Sequence, residues 1–210
     1  MSDELLEYIL AHSAPQPELL ARLEREANVR LLHPRMVSGH LQGRLLSAIS
    51  RMLRPRRVLE LGTYVGYSAI CLAEGLTDDG RLITIDIDDE IEDMARRYIE
   101  ESPYAGRIDF RIGDALELVP GIDEVFDLVF IDADKRDYLA YYEAVLDKVR
   151  PGGFLLADNT LWDGKVLKPV APADRQTRGL LRFNDFVAAD CRVEAFILPV
   201  RDGLTIIRKK

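Results

Sequence analysis

Residues 125–162, VFDLVFIDADKRDYLAYYEAVLDKVRPGGFLLADNTLW, hold two short apolar runs that each end in acidic or amide side chains. Residues 126–131 and 154–157 are too short, and too rich in Val, Ile, Phe and Leu, to be amphipathic helices, and they read as buried parallel strands. Between them Tyr138, Leu139, Tyr142, Val145, Leu146 and Val149 recur at helical spacing. Pro151-Gly152-Gly153 is expected to stop that helix before the second strand begins. The unit is therefore strand, crossover helix, parallel strand. In such a sheet ligands sit outside the carboxyl ends of the strands, where this sequence puts Asp132, Asp134 and Lys135 after one strand and Asp158 and Asn159 after the next.

Adjacent parallel strands bring Asp132, Asp158 and Asn159 close together. Two carboxylates and an amide carbonyl are hard oxygen ligands, suited to Mg²⁺ first, with Mn²⁺ or Ca²⁺ as alternatives, and leaving positions open for substrate oxygens. Any one of these acids, taken singly, serves equally well as the cap of the following helix. Three together, with a lysine beside them, favour a site.

Asp132-Ala-Asp-Lys135 followed by Asp158-Asn159-x-Leu-Trp-Asp-Gly164 resembles the metal-dependent small-molecule O-methyltransferases, the group that contains caffeoyl-CoA and catechol O-methyltransferases. The resemblance runs from about Met36 to the C-terminus. It implies a Rossmann-like class I methyltransferase fold, α/β, with a seven-stranded mostly parallel sheet in the order 3-2-1-4-5-7-6, the last strand antiparallel, and helices on both faces. It also implies S-adenosylmethionine as methyl donor, a divalent cation on Asp132, Asp158 and Asn159, and Lys135 as the catalytic base.

With 210 residues and 48% hydrophobic content, the chain has enough material for one sizeable core, and one domain over 1–210 is the simplest expectation. A net charge of −8 argues against a general phosphate-binding surface, so nonspecific nucleic-acid binding is not expected. Cys71 and Cys191 form no CxxC pair and read as free thiols in a reducing compartment. No stretch has the basic flank and apolar run of a signal peptide or the length of a membrane span, which leads to the expectation of a cytoplasmic protein.

Leu5, Leu6, Ile9 and Leu10 mark a short amphipathic helix, and Pro15-Gln-Pro17 opens a second that carries Leu19, Leu20 and Leu23. A pair so small must pack on the main domain, on a partner subunit or over the active site. The family resemblance makes 1–35 a substrate lid and homodimer contact, and 36–210 the core. Met36-Val-Ser-Gly-His-Leu-Gln-Gly43 starts a helix running to about Leu53, with Ser38 either its N-cap or, by the family's M-x-[ST]-x4-G pattern, a contact to the methionine carboxylate of the donor.

Arg57–Leu61 is the first strand, and Glu60-Leu-Gly-Thr-Tyr-Val-Gly-Tyr-Ser68 turns it into a helix beginning near Val65. Gly62 allows the tight turn, and the free N–H groups of that helix face whatever sits above. Asp86, closing the second strand, lies in register to hold ribose hydroxyls, and the glycine spacing lacks the G-x-G-x-x-G of a dinucleotide site. A nucleoside without a pyrophosphate fits better than NAD. Asp114, after a third strand over 108–112, is either an N-cap or, with Ala115, the adenine contact implied by the family. By that resemblance Ser38, Glu60, Gly62, Tyr64, Ser68, Asp86, Asp114, Ala115, Asp132 and Asp134 form the donor site.

A helix over about 174–189 and two closing strands, 193–198 and 203–208, complete the pattern. His12, His33 and His40 form no metal-spaced pair. In the closing hairpin, Thr205 stands where catechol O-methyltransferase carries a glutamate to the second hydroxyl, and Arg201 is either a solvated turn residue or a cation that projects toward the pocket mouth and favours an acidic acceptor. The expected activity is O-methylation of a catechol or similar vicinal diol. Alternatives are methylation of a hydroxylated wobble uridine in tRNA, with Lys165, Lys168, Arg175 and Arg178 as a basic rim, and a degenerate donor-binding dimeric module.

Overall fold

A computed structural model describes residues 3–210. Of the segment 1–35 set apart from the sequence, Met1 and Ser2 thus lie outside the described residues. The strands are β1 (Arg57–Leu61), β2 (Arg81–Asp86), β3 (Ile108–Ile112), β4 (Phe126–Ile131), β5 (Val149–Ala157), β6 (Val193–Leu198) and β7 (Leu204–Lys209). They form one sheet in the order β3-β2-β1-β4-β5-β7-β6, with β7 antiparallel to both its neighbours, as expected. The helices are α1 (Asp3–Ala11), α2 (Glu18–Arg30), α3 (Gly39–Leu53), α4 (Tyr67–Ala73), α5 (Glu92–Glu101), α6 (Ala115–Leu118), α7 (Tyr138–Leu146) and α8 (Arg175–Ala189). Among the described residues no helix is long and apolar enough to cross a membrane.

Alternation along the strands divides the core into two layers. Val58, Leu82, Leu128, Phe130 and Leu156 face the side covered by α2 to α5, where Leu23, Leu46, Ile70 and Ile99 complete a cluster. Leu59, Leu61, Ile83, Ile85, Val129 and Ile131 face the other side and pack on Tyr138, Tyr142, Val145, Leu180 and Phe183 of α7 and α8. Strands covered on both faces have no polar side to show, which is why they read as continuous apolar runs.

The local expectations need two corrections. α7 ends at Leu146, and Val149, expected in the helix, already pairs with Phe126 in the sheet. Pro151-Gly152-Gly153 is therefore an interruption inside β5, where pairing jumps from Phe126–Val149 to Leu128–Phe154 and Gly152 takes φ +73°. Pairing starts early because the Phe126 N–H donates to Lys148 O (2.7 Å) and Arg150 pairs with Asp127 (2.6 Å). Next, α4 begins at Tyr67, with Gly66 at its N-cap in the left-handed region (φ +84°), so residues 63–66 form a turn and not the first helical residues. Of the places open to the N-terminal helix pair, α2 takes the main domain: Leu20, Leu23 and Ala27 are buried, and Glu26 accepts from Tyr98 (2.7 Å) and Arg97 (2.8 Å) of α5.

Candidate active site

Each strand end that carries an acid is extended by one further backbone bond to its neighbour. Gly62 N–H donates to Ile85 O (2.9 Å), Gly113 to Asp86 O (2.8 Å), Asp132 to Leu61 O (2.8 Å) and Asp158 to Ile131 O (3.0 Å). Four turns are thereby aligned at one edge of the sheet, around a cavity of about 990 Å³. Ser38, Gly62, Tyr64, Ser68, Asp86, Asp114 and Ala115 line it, as do Asp132, Asp134, Lys135, Asp158 and Asn159. Candidates scattered over more than a hundred residues line one cavity.

Glu60 is the exception. Its alternation partner in β1 is Val58, so its side chain enters the apolar layer beneath the cavity, fully buried, and it is not a lining residue. Thr84 donates to Glu60 Oε2 (2.6 Å) and in turn accepts from Thr63 (2.5 Å). Burial, with Asp132 and Asp86 nearby, pushes the Glu60 carboxyl up to about 8.

Two expected alternatives resolve differently. Asp114 does cap α6, accepting from the Leu116 N–H (2.8 Å), and also lines the cavity. Ser38 occupies the N-cap position of α3 in right-handed helical geometry and makes no side-chain cap bond, so its hydroxyl is not spent on the helix. Asp86 accepts the Tyr64 N–H on one oxygen (2.6 Å) and the Asp88 N–H on the other (3.0 Å). Asp134 is paired with Arg136 and caps the turn over Lys135–Asp137, which holds its carboxyl below the usual range.

On the acidic side of the cavity, Lys135 is 7% exposed and far from the solvated first-turn lysine that its position in the sequence allows. Its Nζ donates to Asp132 Oδ1 (2.7 Å) and to the Tyr138 hydroxyl (2.7 Å). The Tyr138 hydroxyl in turn donates to Asp158 O (2.9 Å), and burial raises it well above its ordinary value, so it stays a neutral phenol. Asp158 is buried, and burial together with the charge of Asp132 raises its carboxyl. Among the described residues no three His, Cys, Asp or Glu side chains form a metal-holding group, so the candidate set is the two carboxylates and the amide of Asn159, whose φ of +56° turns the chain sharply there. A buried acid whose carboxyl is raised beside a second carboxylate is a donor set that a cation relieves.

The closing hairpin departs from expectation. Thr205 is buried and donates to Thr160 Oγ1 (2.7 Å), away from the cavity lining. Arg201 does line the cavity, but its Nη1 donates to Ser38 O and to Gln42 Oε1, so it is not a free cation at the mouth. Gln42 and Tyr138 were not anticipated as site residues. The only sequence signal for Gln42 is a polar residue on the buried face of α3, beside Leu46, Ser47 and Ser50.

The family model described as O-methyltransferase matches residues 10–210. Caffeoyl-CoA O-methyltransferase 2 of Eucalyptus globulus is 37% identical over 224 residues, covering 99% of this chain and 89% of that protein. Caffeoyl-CoA O-methyltransferase 1 of Arabidopsis thaliana is 36% identical, covering 99% and 85%. Among solved structures, the Bacillus cereus O-methyltransferase in complex with SAH superposes with a TM-score of 0.90 at 32% identity, over 97% of this chain and 96% of that one. TomG of Streptomyces achromogenes, an O-methyltransferase of tomaymycin synthesis in complex with SAM, reaches 0.91 at 30% identity with full coverage of both chains. The chain belongs to this O-methyltransferase family.

Proposed function

We propose that the protein transfers a methyl group from S-adenosylmethionine to one hydroxyl of a catechol or similar vicinal diol on a small aromatic, with a divalent cation, Mg²⁺ in the first place, held by Asp132, Asp158 and Asn159. The observation that carries this reading is the convergence of Asp132, Asp158 and the buried Lys135 in one cavity that Asp86 and Asp114 also line. The relatives crystallised with SAM and SAH support the donor.

In this reading Asp86 accepts the ribose hydroxyls with the lone pairs its two backbone bonds leave free, and Asp114 accepts from the adenine amine beside Ala115. Ser38, Gly62, Tyr64 and Ser68 surround the methionine end, with Asp132 and Asp134 closing that side. Transfer is an in-line displacement, so the attacking oxygen has to be held about 3 Å from the methyl carbon. Bound to this donor set, a divalent cation would chelate two adjacent acceptor oxygens and lower the pKa of their hydroxyls. Lys135 receives the remaining proton at Nζ, and Tyr138, fixed by its bond to Asp158 O, keeps that amine against Asp132. We also propose a homodimer, supported by Phe196 at 58% exposure on the edge strand β6 and by Leu32 at 92%. A monomer by sedimentation at micromolar concentration would overturn that part.

The test of the reaction is turnover of a catechol, a single-hydroxyl phenol and hydroxyuridine-containing tRNA, each with chelator and with Mg²⁺ restored. Catechol turnover that is lost in chelator and regained with Mg²⁺ is expected. Full activity in excess chelator would remove the cation. Methylation of tRNA alone would replace the acceptor class, and donor binding with no turnover at all would leave a binding module.

A further inference from the structure

The Asp158 carboxylate is held from far along the chain: Gln42, 116 positions earlier, donates from Nε2 to Asp158 Oδ2 at 2.6 Å. Gln42 is 4% exposed, and its other end, Oε1, accepts from Arg201 Nη1 at 2.5 Å. The same guanidinium nitrogen donates to Ser38 O. A primary amide can face either way unless its partners decide, and here both do. A guanidinium has only donors and a carboxylate only acceptors, so Arg201 and Asp158 allow one orientation of Gln42. Arg201 can reach α3 because it sits in the β6–β7 turn with φ +50°.

We infer that Gln42, oriented by Arg201, is a positioning residue for the cation: it occupies Asp158 Oδ2 with a neutral donor and leaves Oδ1 to the ion. A neutral amide fixes the carboxylate's rotation without cancelling its charge. At Asp132 the partner is instead the Lys135 amine, whose Nζ donates to Oδ1. The inference rests on the proposed cation site. Hydrogen-bond partners of metal ligands commonly change metal affinity by 10–100-fold when removed.

The experiment titrates Mn²⁺ into the full chain without acceptor, reading free hydrated Mn²⁺ by electron paramagnetic resonance, with S-adenosylmethionine affinity measured alongside by calorimetry. Gln42→Met, of similar length but with no polar end, is expected to weaken Mn²⁺ binding by about tenfold or more while donor affinity stays within about twofold. Arg201→Met, which leaves the Gln42 side chain itself in place, should weaken Mn²⁺ binding in the same direction. Arg201→Lys, which keeps a donor toward Oε1, should restore it. Wild-type Mn²⁺ binding with no change in either Met variant overturns the positioning role and leaves the cation site standing. An equal loss of Mn²⁺ and donor affinity in Gln42→Met also overturns it, since general loosening of α3 would then suffice. No Mn²⁺ binding by the wild type brings down both this inference and the cation reading.

Discussion

A Cβ placed on Gly62 would lie 2.2 Å from the carbonyl oxygen of Asp132. The turn after β1, on the proposed donor side, and the turn after β4, which carries the acidic motif, are thus in backbone contact, and glycine alone permits it. Gly62 also has φ +96°, where other L residues are strained. Backbone cannot swing aside as a flexible side chain can. Gly62→Ala is expected to cost about 2 kcal/mol or more in urea unfolding and to reduce both donor affinity and turnover, because Asp132 must move. An unchanged unfolding midpoint would show that the two turns separate freely.

Asp86 is held at both oxygens by backbone N–H groups, so it arrives at the cavity already oriented. Hydrogen bonds to a charged acceptor contribute about 1.5–3 kcal/mol, and Asp86→Ala should weaken S-adenosylmethionine binding by about tenfold or more in calorimetry. Affinity equal to wild type would take Asp86 out of the donor site.

Glu60 makes stability depend on pH in an unusual direction for a carboxyl group. Its pKa rises from 4.5 to about 8 on burial, so the folded state binds the proton more tightly than the unfolded chain. The contribution of the neutral acid is fully present below about pH 4.5 and is lost as pH rises through about 8. Glu60→Gln keeps an acceptor for Thr84 and carries no charge. Its melting temperature relative to wild type should therefore climb between pH 5 and pH 8.5; a constant difference across that range would mean that Glu60 does not titrate on folding.

The N-terminal segment divides in two. α1 has no fully buried side chain among the described residues, whereas Leu23 of α2 has no exposed surface at all. Removal of residues 1–35 is therefore expected to destabilise the whole fold and not merely to impair acceptor use. Leu23→Ala should cost about 2–5 kcal/mol in chemical denaturation. Truncation that preserved the unfolding midpoint would return α2 to the role of a detachable lid.

The parallel sheet, its closing antiparallel hairpin and the row of acids at the strand ends were legible in the sequence because each is written in local terms. Apolar runs of strand length, helical repeats between them and polar residues at the run ends recur within a few positions of one another, as in 126–134 and 154–159. Pro151-Gly152-Gly153 shows the limit of local reading. It looks like a helix stop, but pairing between Phe126 and Val149 had already begun the strand, and that bond joins two different segments.

The same distinction separates the site residues that could be foreseen from those that could not. Asp132, Lys135 and Asp158 declare themselves by following strands. Glu60 also lies in a recognisable turn motif, yet the alternation of β1 directs it under the floor toward Thr84. Gln42 meets Asp158 across 116 residues and Arg201 across 159, and no spacing in the chain encodes either contact. Periodicity determines which face of an element is apolar. Which polar groups meet at the cavity follows only when the packed layers bring those faces together, because a buried donor or acceptor must find its partner wherever the fold has placed one.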